Sequence, residues 1–220
     1  MPDRESVVRR PIPSRSALWV IAAARRLHQA GMRPNQVSVL GLAIAAVAAA
    51  CLVLAGRSED GKRMALLVVA AIAMPLRLLC NVLDGKLAVE FDLKTPSGAI
   101  YNELPDRISD PLILIGAGYA IGDVAWGPDL GWAAAVTALL VAYVRILGVA
   151  AGAAWHFEGP MPKPRRMQVL IVACLLSVVE TAAGWPQGRV LVAALILIII
   201  GCVMTIVQRL RLITADLEAM

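Results

Sequence analysis

The sequence predicts an all-α membrane protein: six transmembrane helices preceded by an amphipathic helix lying along the interface. Apolar residues make up 59% and charged residues only 17% of the 220, with a mean hydropathy of +0.73, too greasy for a water-soluble domain of that size. Six apolar runs of about 20 residues can be read, the length a helix needs to cross the hydrocarbon core. Ala, Leu, Val and Ile dominate, aromatic residues make up 5%, and the polar/apolar alternation of a membrane barrel is absent.

Residues 1–15 are charged and proline-rich, with no apolar stretch directly behind a short basic start, so no cleaved leader is expected. The stretch Ser16–Gly31 combines an apolar face with Arg25, Arg26 and His28 and reads as the interfacial helix. Arg33-Pro34-Asn35-Gln36-Val37-Ser38 then opens the first span, Pro suiting the first helical turn and Asn35 or Ser38 able to satisfy free amide donors. The spans are expected near 36–55, 64–83, 99–121, 131–153, 167–185 and 189–208. The chain thus divides into a cytoplasmic segment at 1–34, a helical membrane domain at 35–210 and a cytoplasmic tail at 211–220.

Orientation follows from the basic residues. With the N-terminus inside, the cytoplasmic segments collect Arg4, Arg9, Arg10, Arg15, Arg25, Arg26, Arg33, Lys86, Lys94, Lys163, Arg165, Arg166, Arg209 and Arg211. The other side keeps Arg57, Lys62, Arg63 and Arg189. That bias predicts both termini in the cytoplasm and a multi-pass protein of the inner membrane. Positive charge that flanks apolar spans is explained by topology and anionic lipid, so no nucleic-acid partner is expected. Cys51, Cys80, Cys174 and Cys202 fall inside spans without ligand-like spacing and read as small apolar residues. His28 and His156 have no evident partner in the sequence.

Ionisable groups at membrane depth are costly and mark function. On the second span Arg77, Asn81, Asp84 and Ala88 are spaced by four, three and four residues, which places them on a stripe about 60° wide. Asn102, Glu103, Asp106 and Asp110 on the third span fall within an arc of about 100°. The connection Lys86–Ser97 is short enough to make these helices antiparallel neighbours, bringing both stripes together at the cytoplasmic surface. So many carboxylates on facing stripes repel unless neutralised. A divalent cation with oxygen ligands, magnesium, manganese or calcium, resolves this, and magnesium sites commonly add phosphate oxygens, which implies a phosphorylated substrate. Acids that merely face water at a helix end are the plainer alternative, and the depth of Asp110, about 12 Å of rise beyond Asn102, argues against it. Glu180, in the fifth span, has no assigned role.

The run Asn81-Val-Leu-Asp84-Gly85-Lys-Leu-Ala88-Val89, followed by Gly98-Ala-Ile-Tyr-Asn102-Glu-Leu-Pro-Asp106, resembles the signature of the CDP-alcohol phosphotransferases, D-x-x-D-G-x-x-A-R, a spacer, then G-x-x-x-D-x-x-x-D. Asn81 and Asn102 stand at two of the Asp positions and Val89 at the Arg position. The resemblance implies transfer of a phosphatidyl group from a CDP-alcohol such as CDP-diacylglycerol to an alcohol acceptor, with release of CMP. It implies magnesium or manganese, two ions in the fullest reading, held by Asn81, Asp84, Asn102, Glu103 and Asp106, with Glu103 and Asp110 placed to make up for the lost carboxylates. Gly85, Ala88 and Gly98 would let the nucleotide approach closely. Arg77 would face its pyrophosphate or pair with the acids instead. Asp106 matches the family's proposed base, and Asp110, one turn deeper, is an alternative for that role. Lys163, Arg165 and Arg166, with Arg145 about two turns inside the fourth span, would bind an anionic acceptor alcohol or simply carry the topology signal. Family members are usually homodimers among membrane lipids. The alternatives are a catalytically silent family member and a small cation-coupled transporter, although no internal repeat supports the latter.

Overall fold

The computed structural model describes residues 18–93, 95–122 and 124–220. The expectations on residues 1–15 and on Lys94 lie outside these. The described chain forms seven helices: α1 (Leu18–Gln29), α2 (Pro34–Ala55), α3 (Asp60–Glu90), α4 (Gly98–Tyr119), α5 (Gly127–Ala150), α6 (Lys163–Ala182) and α7 (Arg189–Glu218). Four of them, α2, α3, α5 and α7, are long and apolar enough to cross a membrane. The other two of comparable length, α4 and α6, carry most of the charged residues of the site.

The helices α2 to α7 close into a ring in which α2 packs on α3, α3 on α6, α6 on α7, α7 on α5, α5 on α4, and α4 back on α2. This corrects the expectation that α3 and α4 are packed neighbours: they touch only locally, and α2 packs extensively against both. Small residues on α2 make the double contact possible. A Cβ on Gly41 would lie 3.1 Å from Cys80 Cβ of α3, and Ala45, Ala48 and Ala49 are buried. On α4, a Cβ on Gly116 would meet the Ala49 carbonyl at 2.9 Å. Close backbone approach through small residues is how helices associate where lipid supplies no hydrophobic drive.

Two helix ends run furthest past those expected. α3 continues through Lys86 to Glu90, helped by the Lys86–Glu90 ion pair, so the connection to α4 begins at Phe91. α7 continues ten residues past the expected end at 208, and the tail at 211–220 is helical through Glu218. The residues beyond the apolar stretch are anchored: Asp216 accepts hydrogen bonds from the Ala154 backbone (3.0 Å) and the His156 Nε2 site (2.8 Å). His156 therefore has a partner that its sequence neighbourhood did not reveal, and His28 stacks on Phe91 with ring centroids 4.2 Å apart.

At the start of α2, Pro34 occupies the first turn as expected. The capping partner is Gln36, whose Oε1 accepts the Arg33 N–H at 2.8 Å. Ser38 does not cap the helix; its hydroxyl turns to α3. Glu180 gains a role too. It is buried near the end of α6 and accepts the free N–H groups of Gly188 (3.0 Å), Arg189 (3.1 Å) and Val190 (3.4 Å) at the start of α7. Unpaired first-turn donors inside a bilayer protein are costly, and one carboxylate satisfies three of them. Gly188 sits at φ +87°, and a Cβ there would lie 2.3 Å from the Ile121 carbonyl oxygen, so this turn admits no larger residue.

Candidate active site at one end of the ring

The beginnings of α2, α4 and α6 and the ends of α3, α5 and α7 lie at one end of the ring, and the polar residues gather there. Asp106 is the centre of the arrangement. Arg77 of α3 pairs with its Oδ1, Asn81 Nδ2 donates to its Oδ2 at 2.8 Å, and Lys163 Nζ of α6 lies 2.5 Å from the same Oδ2. Arg77 and Asn81 of the α3 stripe thus reach Asp106 of the α4 face, and Lys163 of α6 joins them.

Asp84, one turn beyond Asn81, is buried at 3% exposure. Its Oδ2 accepts the Ser38 hydroxyl of α2 at 2.6 Å, and its Oδ1 is buried without a hydrogen-bond partner. Asp110 is equally buried; Arg166 of α6 donates to its Oδ2 at 2.7 Å and to the Met161 carbonyl at 3.0 Å. Glu103 binds two guanidinium groups, Arg107 one turn on and Arg145 of α5 at 2.7 Å. Arg145 also lies over the Trp155 and Phe157 rings, 5.7 and 5.4 Å from their centroids. Arg165 donates to the Pro160 carbonyl at 2.6 Å. Gly85 and Ala88 are half-buried on the last turns of α3, Gly98 begins α4, and Asn102 is exposed.

Local sequence explains the placement. Pro105 and Pro111 both fall inside α4, each removing one backbone N–H from the helical ladder, and Asp106 and Asp110 lie between them. Ser109 Oγ donates to the Pro105 carbonyl at 2.7 Å within that segment. Pro162 and Pro164 flank Lys163 and set the start of α6. The segment before it is pinned to α7. Thr205 Oγ1 accepts the Met161 N–H at 3.0 Å, and Arg209 donates to the carbonyls of Phe157 (3.3 Å) and Glu158 (2.9 Å). Lys163 is held against Asp106 by this anchoring.

A family model for CDP-alcohol phosphatidyltransferase matches residues 32–207, most of the chain and all of the site. The chain belongs to the CDP-alcohol phosphatidyltransferase family. Like other CDP-alcohol phosphatidyltransferases it is a transferase of substituted phosphate groups and a multi-pass membrane protein, and the transporter alternative falls away. An uncharacterised protein of Aquifex aeolicus (strain VF5) is 28% identical over 145 residues, 65% of this chain and 67% of its own. The fold is shared with phosphatidylinositol phosphate synthase (PgsA1) of Mycobacterium tuberculosis. The structure of that enzyme with manganese and citrate superposes with a TM-score of 0.75 at 24% identity, covering 91% of both chains. Its structure with CDP-DAG bound gives 0.72 at 24% identity, over 90% of this chain and 94% of that one.

Two residues of the site escaped sequence reasoning. Ser38 was read as a helix cap, although a hydroxyl near the start of an otherwise apolar α2 was the available signal. Arg107, which the motif does not include, pairs with Glu103 one turn before it on α4, and that i,i+4 spacing was the available signal.

Proposed function

We propose that this CDP-alcohol phosphatidyltransferase moves a phosphatidyl group from a CDP-diacylglycerol-like lipid to a small anionic alcohol, releasing CMP at the cytoplasmic face of the inner membrane. The observation that carries the reading is the convergence of Arg77, Asn81 and Lys163 on Asp106, beside the buried, half-satisfied Asp84. All six ring helices cross the bilayer in this reading, with α1 lying at the interface and both termini inside. The basic residues at the site's end of the ring support that orientation.

Asp106 acts as the base. It is the more accessible of the two candidates, with its side chain 15% exposed against 5% for Asp110. The acceptor hydroxyl oxygen attacks the phosphorus that bears the lipid, its proton passes to the Asp106 carboxylate, and the bond to the CMP oxygen breaks. Arg77 and Lys163 orient Asp106 and face the charge that develops on the leaving phosphate. Asp110, fixed by Arg166, is a positioning residue for the start of α6.

A divalent ion suits the oxygen atoms present. The orphaned Asp84 Oδ1 is a buried acceptor awaiting a partner, and Asn81 adds a neutral carbonyl one turn away. Magnesium or manganese there would supply Lewis-acid polarisation of the phosphoryl oxygens. Manganese in one structure of the mycobacterial relative and CDP-DAG in another support the ion and the donor.

The acceptor is anionic in this reading because five cationic side chains, Arg77, Arg107, Arg145, Lys163 and Arg166, pair with three carboxylates, Glu103, Asp106 and Asp110, at the site's end of the ring. We also propose a homodimer. An apolar groove of about 680 Å³ between α4 and α5, lined by Ile100, Leu104, Leu140 and Tyr143, offers a surface a second copy can fill. Native mass spectrometry from detergent reads the dimer directly.

The test is CMP release by the purified chain from CDP-diacylglycerol with manganese or magnesium and a panel of anionic and neutral alcohols. Release with an anionic alcohol, lost in Asp106→Asn, supports the reading. No release with any acceptor would make this a silent family member.

A further inference from the structure

The residues around Asp106 and Asp84 divide into two halves of different electrostatic character. On the Asp106 side the carboxylate is already neutralised by protein: Arg77 holds Oδ1, and Lys163 and the Asn81 amide share Oδ2. Lys163 also lies within electrostatic reach of Asp110, whose own partner is Arg166. On the Asp84 side no cation pairs directly with the carboxylate, which Lys163 reaches only electrostatically; Ser38 donates to its Oδ2, the Gly85 backbone lies against the carboxylate, and Oδ1 is buried with no side-chain donor. Among the described residues, no three His, Cys, Asp or Glu side chains converge as a ligand set.

We propose that the centre takes one divalent ion per chain, on Asp84, and that the Lys163 ammonium fills the position against Asp106 where a second ion would otherwise sit. The inference rests on the phosphotransferase reading and deepens it. Asn at 81 and 102 leaves Asp84 and Asp106 as the only carboxylates of the signature, half the number its pattern specifies. A divalent ion placed against Asp106 would have to displace two side-chain cations from a half-buried site, and like charges a few ångströms apart there repel by several kcal/mol. The ammonium is covalently tethered and held by the anchoring of the α5–α6 segment to Thr205 and Arg209. It supplies charge opposite the leaving phosphate without any dependence on ion concentration.

The experiment is manganese titration of the purified full chain, with and without CDP. Equilibrium dialysis counts bound ions, and electron paramagnetic resonance detects coupling between them. One ion per chain and an uncoupled spectrum are expected. The paired substitution Asn81→Asp with Lys163→Met removes the ammonium and adds a carboxylate beside Asp106, and is expected to bind two ions with dipolar broadening. Two ions on the natural chain, none, or a paired variant that folds and still binds one would each overturn the proposal. CMP release followed in the same samples separates the two readings: release with two ions bound sinks this inference alone, whereas one bound ion without release sinks the phosphotransferase reading and leaves the count standing.

Discussion

Ser38 shows how much a single hydroxyl can matter in a buried polar site. Its hydrogen bond leaves Asp84 with one oxygen directed and one open, and outer-shell partners of this kind change metal affinity by about 10–100-fold when lost. Ser38→Ala is expected to weaken manganese binding about tenfold, read by the same titration, with the helical circular dichroism unchanged. Asp84→Asn is expected to abolish that binding at millimolar manganese. Asp106→Asn should leave it largely intact while lowering CMP release by about 100-fold or more, the range for loss of a general base. The identity of these acids was legible because carboxylates and amides at three- and four-residue spacing stand out in apolar text. Their partners were less so. Lys163 is 57 positions after Asp106, and nothing in local spacing shows that a proline-rich segment pinned by Thr205 and Arg209 delivers its ammonium there.

At the scale of the helix, two devices hold the ring together. Glu180 serves α7 as a cap supplied from another helix, satisfying three backbone donors at once. Glu180→Ala leaves those donors unpaired in a buried turn, at a cost on the order of 2–3 kcal/mol. It should lower the melting temperature in detergent by several degrees while CMP release at low temperature persists. Sequence reasoning found the residue but no purpose for it, because an acid's acceptor role depends on where the next helix begins. The second device is close contact between α4 and α5. A Cβ on Gly118 would lie 2.8 Å from Gly131 Cα, and one on Gly131 would meet the Leu114 carbonyl at 2.9 Å. Gly118→Leu is therefore expected to force the two helices apart. It should reduce CMP release and thermal stability together, since Arg145 of α5 would no longer meet Glu103 of α4. Helix existence and order were readable from apolar run length. The ring order was not, since the short connection between α3 and α4 suggested direct packing and the small residues of α2 decided otherwise.

Over the whole molecule, the chain's alternating direction explains why one end of the ring carries the site: its polar residues on α3, α4, α5 and α6 lie within a few turns of helix ends that share one side. Cysteine labelling across sealed vesicles tests the orientation, with Lys163→Cys in a Cys-less background expected to react only from the cytoplasmic side and Gln187→Cys only from the opposite one. What the fold accomplishes is to bring α2, α3, α4 and α6 to two carboxylates that are treated differently, Asp106 by cations and Asp84 by a hydroxyl on one oxygen with the other buried. Anomalous diffraction at the manganese edge from crystals of the full chain with CDP tests that most directly. The predicted map has a peak in coordination contact with Asp84 at the end of the ring where α3, α4 and α6 meet; a map with no peak touching Asp84, or with manganese bound only elsewhere in the ring, would contradict it.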